Sequence, residues 1–155
     1  MILPFQHKRD GVHLSLAEHE RALLGDLAGQ LVTLLEGRDE ADPAVSRLFP
    51  PGYSGDDEAD AEFRRLTADD LTASKIDNAK VLIASLDTDR RTPLAPEVAQ
   101  AWLRSLTDLR LTLASRLGVT DEGIPQPAEQ AGIVLRDVYE WLGYVQESLV
   151  RALDR

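Results

Sequence analysis

Three histidines, His7, His13 and His19, are the side chains best suited to bind a metal or move a proton near neutral pH. A metal site needs several such ligands, or carboxylates, gathered on one side. His7 and His13 fall on opposite faces of the strands predicted around them, and His19-Glu20 lacks the second histidine of a zinc protease helix. No Glu-x-x-His pair marks a di-iron bundle. The sequence has no glycine-rich phosphate loop, no G-x-S-x-G elbow and no calcium loop, and its Ser, His and Asp residues lack diagnostic spacing. The adjacent carboxylates Asp56-Asp57 and Asp69-Asp70 stand in acid-rich stretches, where without an apolar pocket to raise a pKa they serve solubility. With no cysteine in the chain, disulfides, thiolate metal sites, cysteine nucleophiles and any switch built on its own thiols are excluded. The expectation is a protein that is not an enzyme and takes no metal or cofactor.

Four polar residues interrupt apolar stripes at helical spacing, and each needs a reason to be there. Arg110 lies among Trp102, Leu103, Leu106, Leu109 and Leu113, with no acid three or four residues away. Glu20 sits among Leu16, Leu23, Leu24, Leu27 and Leu31, with no cation at those spacings. Lys75 lies between Leu71 and Ala79, and Gln146 between Leu142 and Leu149. In one reading Arg110 and Glu20 form an internal ion pair, Gln146 bonds a backbone group, and Lys75 reaches water along its own stem. In the other, Glu20, Lys75, Arg110 and Gln146 converge on a pocket for an anionic or polar ligand. The last apolar stripe, from Ala131 to Val150, is wider than a helix packed on one side requires. It is either central in a bundle or part of a homodimer interface, with Tyr139, Trp141, Leu142 and Val150 as candidate contacts.

The elements that must position these residues are legible from periodicity and punctuation. Residues 2–16 alternate apolar and polar around Asp10-Gly11, which predicts a β-hairpin with Arg9 and Val12 flanking the turn. Leu3, Phe5, His7, Val12, Leu14 and Leu16 then share the buried face, and Gln6, Lys8, His13 and Ser15 the other. Ser15 and Glu18 form a capping box for a helix over 16–36 that stops at Gly37. Residues 38–57 carry Pro43, Pro50, Pro51, Gly52 and Gly55 and predict a flexible loop with one helical turn before Phe49. The acidic run from Asp56 can start a second helix, and Thr67 with Asp70 resembles a weaker cap for a helix reaching Leu86. Arg90-Arg91 lies just beyond, where a helix dipole favours positive charge. Pro93 and Pro96 bracket the start of a helix that ends at Gly118, and a last one runs from about Ala128 nearly to Arg155. The predicted fold is mostly α, a bundle of four to five helices with a short N-terminal β-hairpin, as a single domain over 1–155.

Composition narrows the function classes. A chain of 155 residues, 43% hydrophobic and 28% charged, is a globular composition of ordinary domain size. Acids outnumber bases 27 to 17, for a net charge of −10. Nucleic-acid binding draws most of its affinity from Lys and Arg on phosphates, so direct nucleic-acid binding is not expected. No apolar run approaches the roughly 18 residues of a membrane span, and the polar-flanked start is too short for a signal peptide. A cytoplasmic location is expected.

The runs Trp102-Leu103-Arg104, Asp108-Leu109-Arg110-Leu111 and Arg116-Leu117-Gly118-Val119 resemble an actinobacterial family long known only as a domain of unknown function. So do Trp141-Leu142 and Gln146-Glu147-Ser148-Leu149. Members of that family have been described as oxidative-stress transcription regulators. The resemblance spans the chain by pattern and is specific in the last two helices. It implies a regulator that works through protein contacts, with a sigma factor or RNA polymerase as the partner. Thiol sensing is associated with the family, and here the chain departs from it, because it has no cysteine to oxidise.

Overall fold

The computed structural model describes residues 3–49, 58–127 and 129–155 of the chain. It is mostly helical, with an N-terminal antiparallel hairpin, β1 (Phe5–Lys8) and β2 (Gly11–Leu14), followed by five helices. These are α1 (Glu18–Gly37), α2 (Pro43–Arg47), α3 (Glu58–Ser85), α4 (Pro96–Leu117) and α5 (Gln130–Leu153).

The hairpin keeps the expected sharing of faces but not the expected register, and Leu3 and His7, expected on the buried face, are exposed. Phe5 stands opposite Leu14 and His7 opposite Val12, so the turn is Arg9-Asp10 and not Asp10-Gly11. A slip of two residues preserves which side chains share a face, because the period of a strand is two. The positive φ of the turn falls on Gly11, at 135°, where an added Cβ would also meet Pro93 Cβ at 3.2 Å. The expectation that only one face is buried fails at His13, which is 2% exposed. Pro93 bridges to His13 and Leu94 N–H donates to Val12 O, so a distant segment roofs the face that sequence assigns to solvent.

Helix boundaries follow local chemistry. Ser15 does not cap α1, because its N–H donates to Pro4 O and extends the hairpin. The cap sits two residues later, where Glu20 Oε1 accepts from Ala17 N–H at 2.9 Å. At the other end Gly37 is the last helical residue and Arg38 takes the left-handed conformation, with φ 38°. A guanidinium pairing with Asp69 at 2.6 Å anchors Arg38 to α3 in that strained conformation. The separate helix start expected near Thr67 is absent, and α3 runs through from Glu58, since no Gly or Pro interrupts residues 58–85. Residues 50–57 of the expected flexible loop lie outside the described residues, while the helical turn predicted before Phe49 is α2, capped by Asp42. The dipole reading of Arg90-Arg91 is replaced by another arginine. Arg21 of α1 donates from Nη1 to Leu86 O and Thr88 O, the free carbonyls at the end of α3. Arg91 instead pairs with Asp89.

α4 packs against α1, α2, α3 and α5, so the other helices assemble around it. Its central Trp102 is fully buried, edge-on to Phe5 with ring centroids 5.2 Å apart, and its indole N–H donates to Ser85 Oγ at 2.6 Å. Leu24 and Leu35 of α1, Leu82 of α3, Leu106 of α4 and Leu142 and Leu149 of α5 complete the same apolar cluster. Trp102→Ala removes the largest side chain of that cluster and the indole donor to Ser85 Oγ, which keeps its own bond to Leu82 O. It is expected to cost about 3–5 kcal/mol in urea denaturation, whereas a loss below about 1 kcal/mol contradicts this placement.

Candidate functional site

The structure brings two of the four stripe-breaking polar residues together. Arg110 of α4 donates from Nη1 to Gln146 Oε1 of α5 at 2.9 Å, and its guanidinium carbon lies 5.3 Å from the centre of the Tyr139 ring. The amide of Gln146 donates in turn to Thr107 Oγ1 at 2.8 Å and to Leu103 O at 3.4 Å, both on α4. Gly143 makes room for this contact: a Cβ there would stand 3.3 Å from Arg110 Nη2 and 3.5 Å from its Cζ. Arg110 Nε is buried without a hydrogen-bond partner among the described residues. The guanidinium is therefore sandwiched between a ring and a glycine, with the amide of Gln146 setting its orientation.

Glu20 and Lys75 lie elsewhere, so the four do not converge, and of the ion-pair reading only the bond from Gln146 to a backbone carbonyl, Leu103 O, is present. Glu20 does not pair with Arg110; besides capping α1, it accepts from Trp141 Nε1 at 3.2 Å. Lys75 does not end in water but donates to Asp108 Oδ1 at 2.7 Å, joining α3 to α4. Beside this pair opens a shallow cleft of about 380 Å³, whose wall includes Ser74, Asn78, Arg104 and Thr107. Thr107 thus borders the cleft and also receives the Gln146 bond.

Of the candidate interface residues, Leu142 belongs to the core, Tyr139 and Trp141 are half-buried by the contacts above, and Val150 is exposed. Apolar surface is left over on α5 near its start, at Ile133 and Val134, the latter 52% exposed, and further along at Tyr144 and Val150.

Sequence reasoning missed two groups. Asp108 follows the leucine pattern of α4 on its flank, and only its pairing with a residue 33 positions away makes it notable. Burial pushes its carboxyl above the ordinary carboxylate range, with the Lys75 ammonium pulling the other way. His13 donates from Nδ1 to Arg90 O at 2.7 Å and meets Asp10 Oδ1 from Nε2 at 2.6 Å. That contact is the main reason the Asp10 carboxyl sits below its ordinary range. The Asp10-His13 spacing is the only sequence signal for it. Among the described residues no group of three or more His, Cys, Asp or Glu could hold a metal ion, and no helix is long and apolar enough to cross a membrane.

Two outcomes follow from this geometry. Gly29, with open space around an added Cβ, should gain about 1 kcal/mol of stability on mutation to Ala. Gly143→Ala should lose that gain in the wild type and recover it in an Arg110→Ala background; equal gains in both backgrounds would show that the guanidinium does not fill this space. The second concerns pH. A carboxyl whose folded pKa is raised holds its proton more tightly in the fold, so its contribution favours folding below the ordinary carboxylate range and is lost as pH rises through the folded value. Measured between about pH 4 and about pH 7, the stability of wild type relative to Asp108→Asn should fall as pH rises; a flat or rising difference contradicts the assignment.

The comparisons with known proteins agree with the resemblance. The profile of a family described as a domain of unknown function, DUF2017, matches residues 2–153. The chain is 31% identical over 183 residues to the protein named oxidative stress regulator AosR in Mycobacterium tuberculosis and to that of the same name in Mycobacterium bovis, covering 94% of this chain and 84% of each relative. A further relative in Mycobacterium leprae is 31% identical over 175 residues, covering 89% of this chain and 80% of its own length. No solved structure matches. The family match spans nearly the whole chain and takes in both helices that carry the Arg110 contact: the protein belongs to the DUF2017 family and is similar over most of its length to mycobacterial proteins named oxidative stress regulator.

Proposed function

We propose that this protein is a non-enzymatic regulator of a stress response, acting in the cytoplasm through protein contacts with a sigma factor or RNA polymerase. The observation that carries the reading is the likeness to proteins named oxidative stress regulator over most of both chains. Two physical features support it. The net charge of −10 opposes binding to nucleic acid phosphates, so a route to transcription through protein partners fits better than direct operator binding. The exposed Ile133, Val134 and Val150 on α5 leave apolar surface for a partner or for a second copy of the chain. The input to such a regulator does not pass through its own thiols, because there are none.

A second reading is a domain that binds a small anionic or polar ligand. It draws on the cleft beside Lys75 and Asp108, which the Thr107–Gln146 bond links to Arg110. Affinity capture from the native cytoplasm separates the two, with folding of every variant checked by circular dichroism. The regulator reading expects recovery of a sigma factor or polymerase subunits, identified by mass spectrometry, and loss of that recovery when Ile133 and Val134 are both changed to Glu. Capture of a metabolite without any transcription protein favours the ligand reading and overturns the first.

A further inference from the structure

The outer edge of β1 plays no part in the regulator reading. The donation from Ser15 N–H to Pro4 O, at 2.8 Å, fixes which residues of the hairpin turn their backbone groups inward. In an antiparallel pair these alternate, so the inward pairs are Gln6 with His13 and Lys8 with Gly11. The N–H and C=O groups of Phe5 and His7 therefore face away from β2. At Phe5 one side chain takes both: the N–H donates to Ser148 Oγ at 3.1 Å, and the hydroxyl of Ser148 lies 3.3 Å from Phe5 O. At His7 no described residue takes either group. Between this edge and the C-terminal part of α5 runs a groove of about 590 Å³, within the size range of ligand sites.

The charges around the groove select its occupant. Arg151 of α5 and Arg155 just beyond it line the groove, and β1 ends at Lys8 with Arg9 in the turn, where the neighbouring Asp10 is taken by His13. Glu147, the carboxylate on the α5 wall, is already paired with Arg151 at 2.9 Å. In a chain of net charge −10, this is a local excess of cations. Leu3 and Tyr144, 50% and 41% exposed, add apolar surface at the rim. A second copy of the chain laid on this edge would bring the same cations face to face, so like charges disfavour it.

We propose that β1 accepts an added strand: the groove docks an extended, acidic segment of a partner protein, whose backbone pairs with the N–H and C=O of His7 and whose carboxylates meet Arg151 and Arg155. Main-chain bonds supply affinity in this mode, and alternate side chains supply specificity. The proposal does not depend on which transcription protein the regulator contacts, and it is tested with peptides alone.

The test is amide hydrogen exchange by NMR on the full chain. One probe is an acetylated and amidated heptapeptide alternating glutamate with valine; the other carries lysine in place of glutamate. The acidic peptide should slow exchange at the His7 amide about tenfold or more at saturation, leave the Gln6 amide unchanged, and outbind the basic peptide. His7→Pro deletes only the outward N–H, which an edge strand tolerates, and should abolish binding. Arg151→Glu combined with Arg155→Glu should weaken binding about tenfold or more and keeps the test decisive if proline disturbs the strand. Failure of the acidic peptide to bind at millimolar concentration, binding that leaves His7 exchange unaltered, or equal binding of both peptides overturns the proposal. So does protection of His7 that rises with protein concentration alone, which would assign the edge to a second copy.

Discussion

α4 has to be buried on several sides at once, and most of the structure follows from that constraint. A helix with neighbours on α1, α2, α3 and α5 cannot send all its polar side chains to water, so most of those inside are held by partners, Ser105 Oγ and Arg110 Nε being buried without one among the described residues. Three of these four flanks carry such contacts. Trp102 donates to Ser85 and Asp108 accepts from Lys75 on the α3 side, Arg110 meets Gln146 on the α5 side, and Arg116 forms two bonds of 2.8 Å to Asp42 just before α2. The apolar cluster around Trp102 and Phe5 supplies the bulk of the driving force but is indifferent to which helix fills which side. The polar contacts are directional, and each would leave a charge or donor unpaired if its helix were exchanged or displaced. They specify the arrangement; the leucines and the tryptophan hold it.

This division bears on function. Arg110 and Gln146, the polar residues most suggestive of a ligand pocket, are turned toward each other, with Arg110 also over the Tyr139 ring, so their first duty is to seat α5 on α4. Seating α5 has two consequences at the surface. It leaves Ile133 and Val134 exposed toward the start of the helix, and it sets Ser148 against the edge of β1 at the other end. Both surfaces proposed for partners are thus presented by the same helix, held in place by the same polar contact.

Periodicity made the long helices legible, and Pro96 and Gly118 bounded α4 closely, because these signals are local. Periodicity also marked Arg110, Gln146, Lys75 and Glu20 as residues needing an explanation. It could not name their partners, since a pairing across 36 residues, as for Arg110 and Gln146, depends on how two helices are juxtaposed. The same limit hid His13, whose burial comes from Pro93 and Leu94 far along the chain. The hairpin register escaped for a different reason: a slip of two leaves every side chain on its expected face, so the hydrophobic pattern cannot distinguish the alternatives. Arg38 at a left-handed position was unreadable because its anchor, Asp69, lies in another helix.

The claim that polar contacts of α4 specify its neighbours is tested most directly by a double-mutant cycle on Arg110 and Gln146, using Arg110→Ala, Gln146→Ala and the double variant in urea denaturation. The account predicts a coupling energy of about 1–2 kcal/mol, because each single variant strands the other partner half-buried. Additive losses, with coupling within about 0.3 kcal/mol of zero, would show that the contact is incidental and that α5 is seated by its apolar face alone.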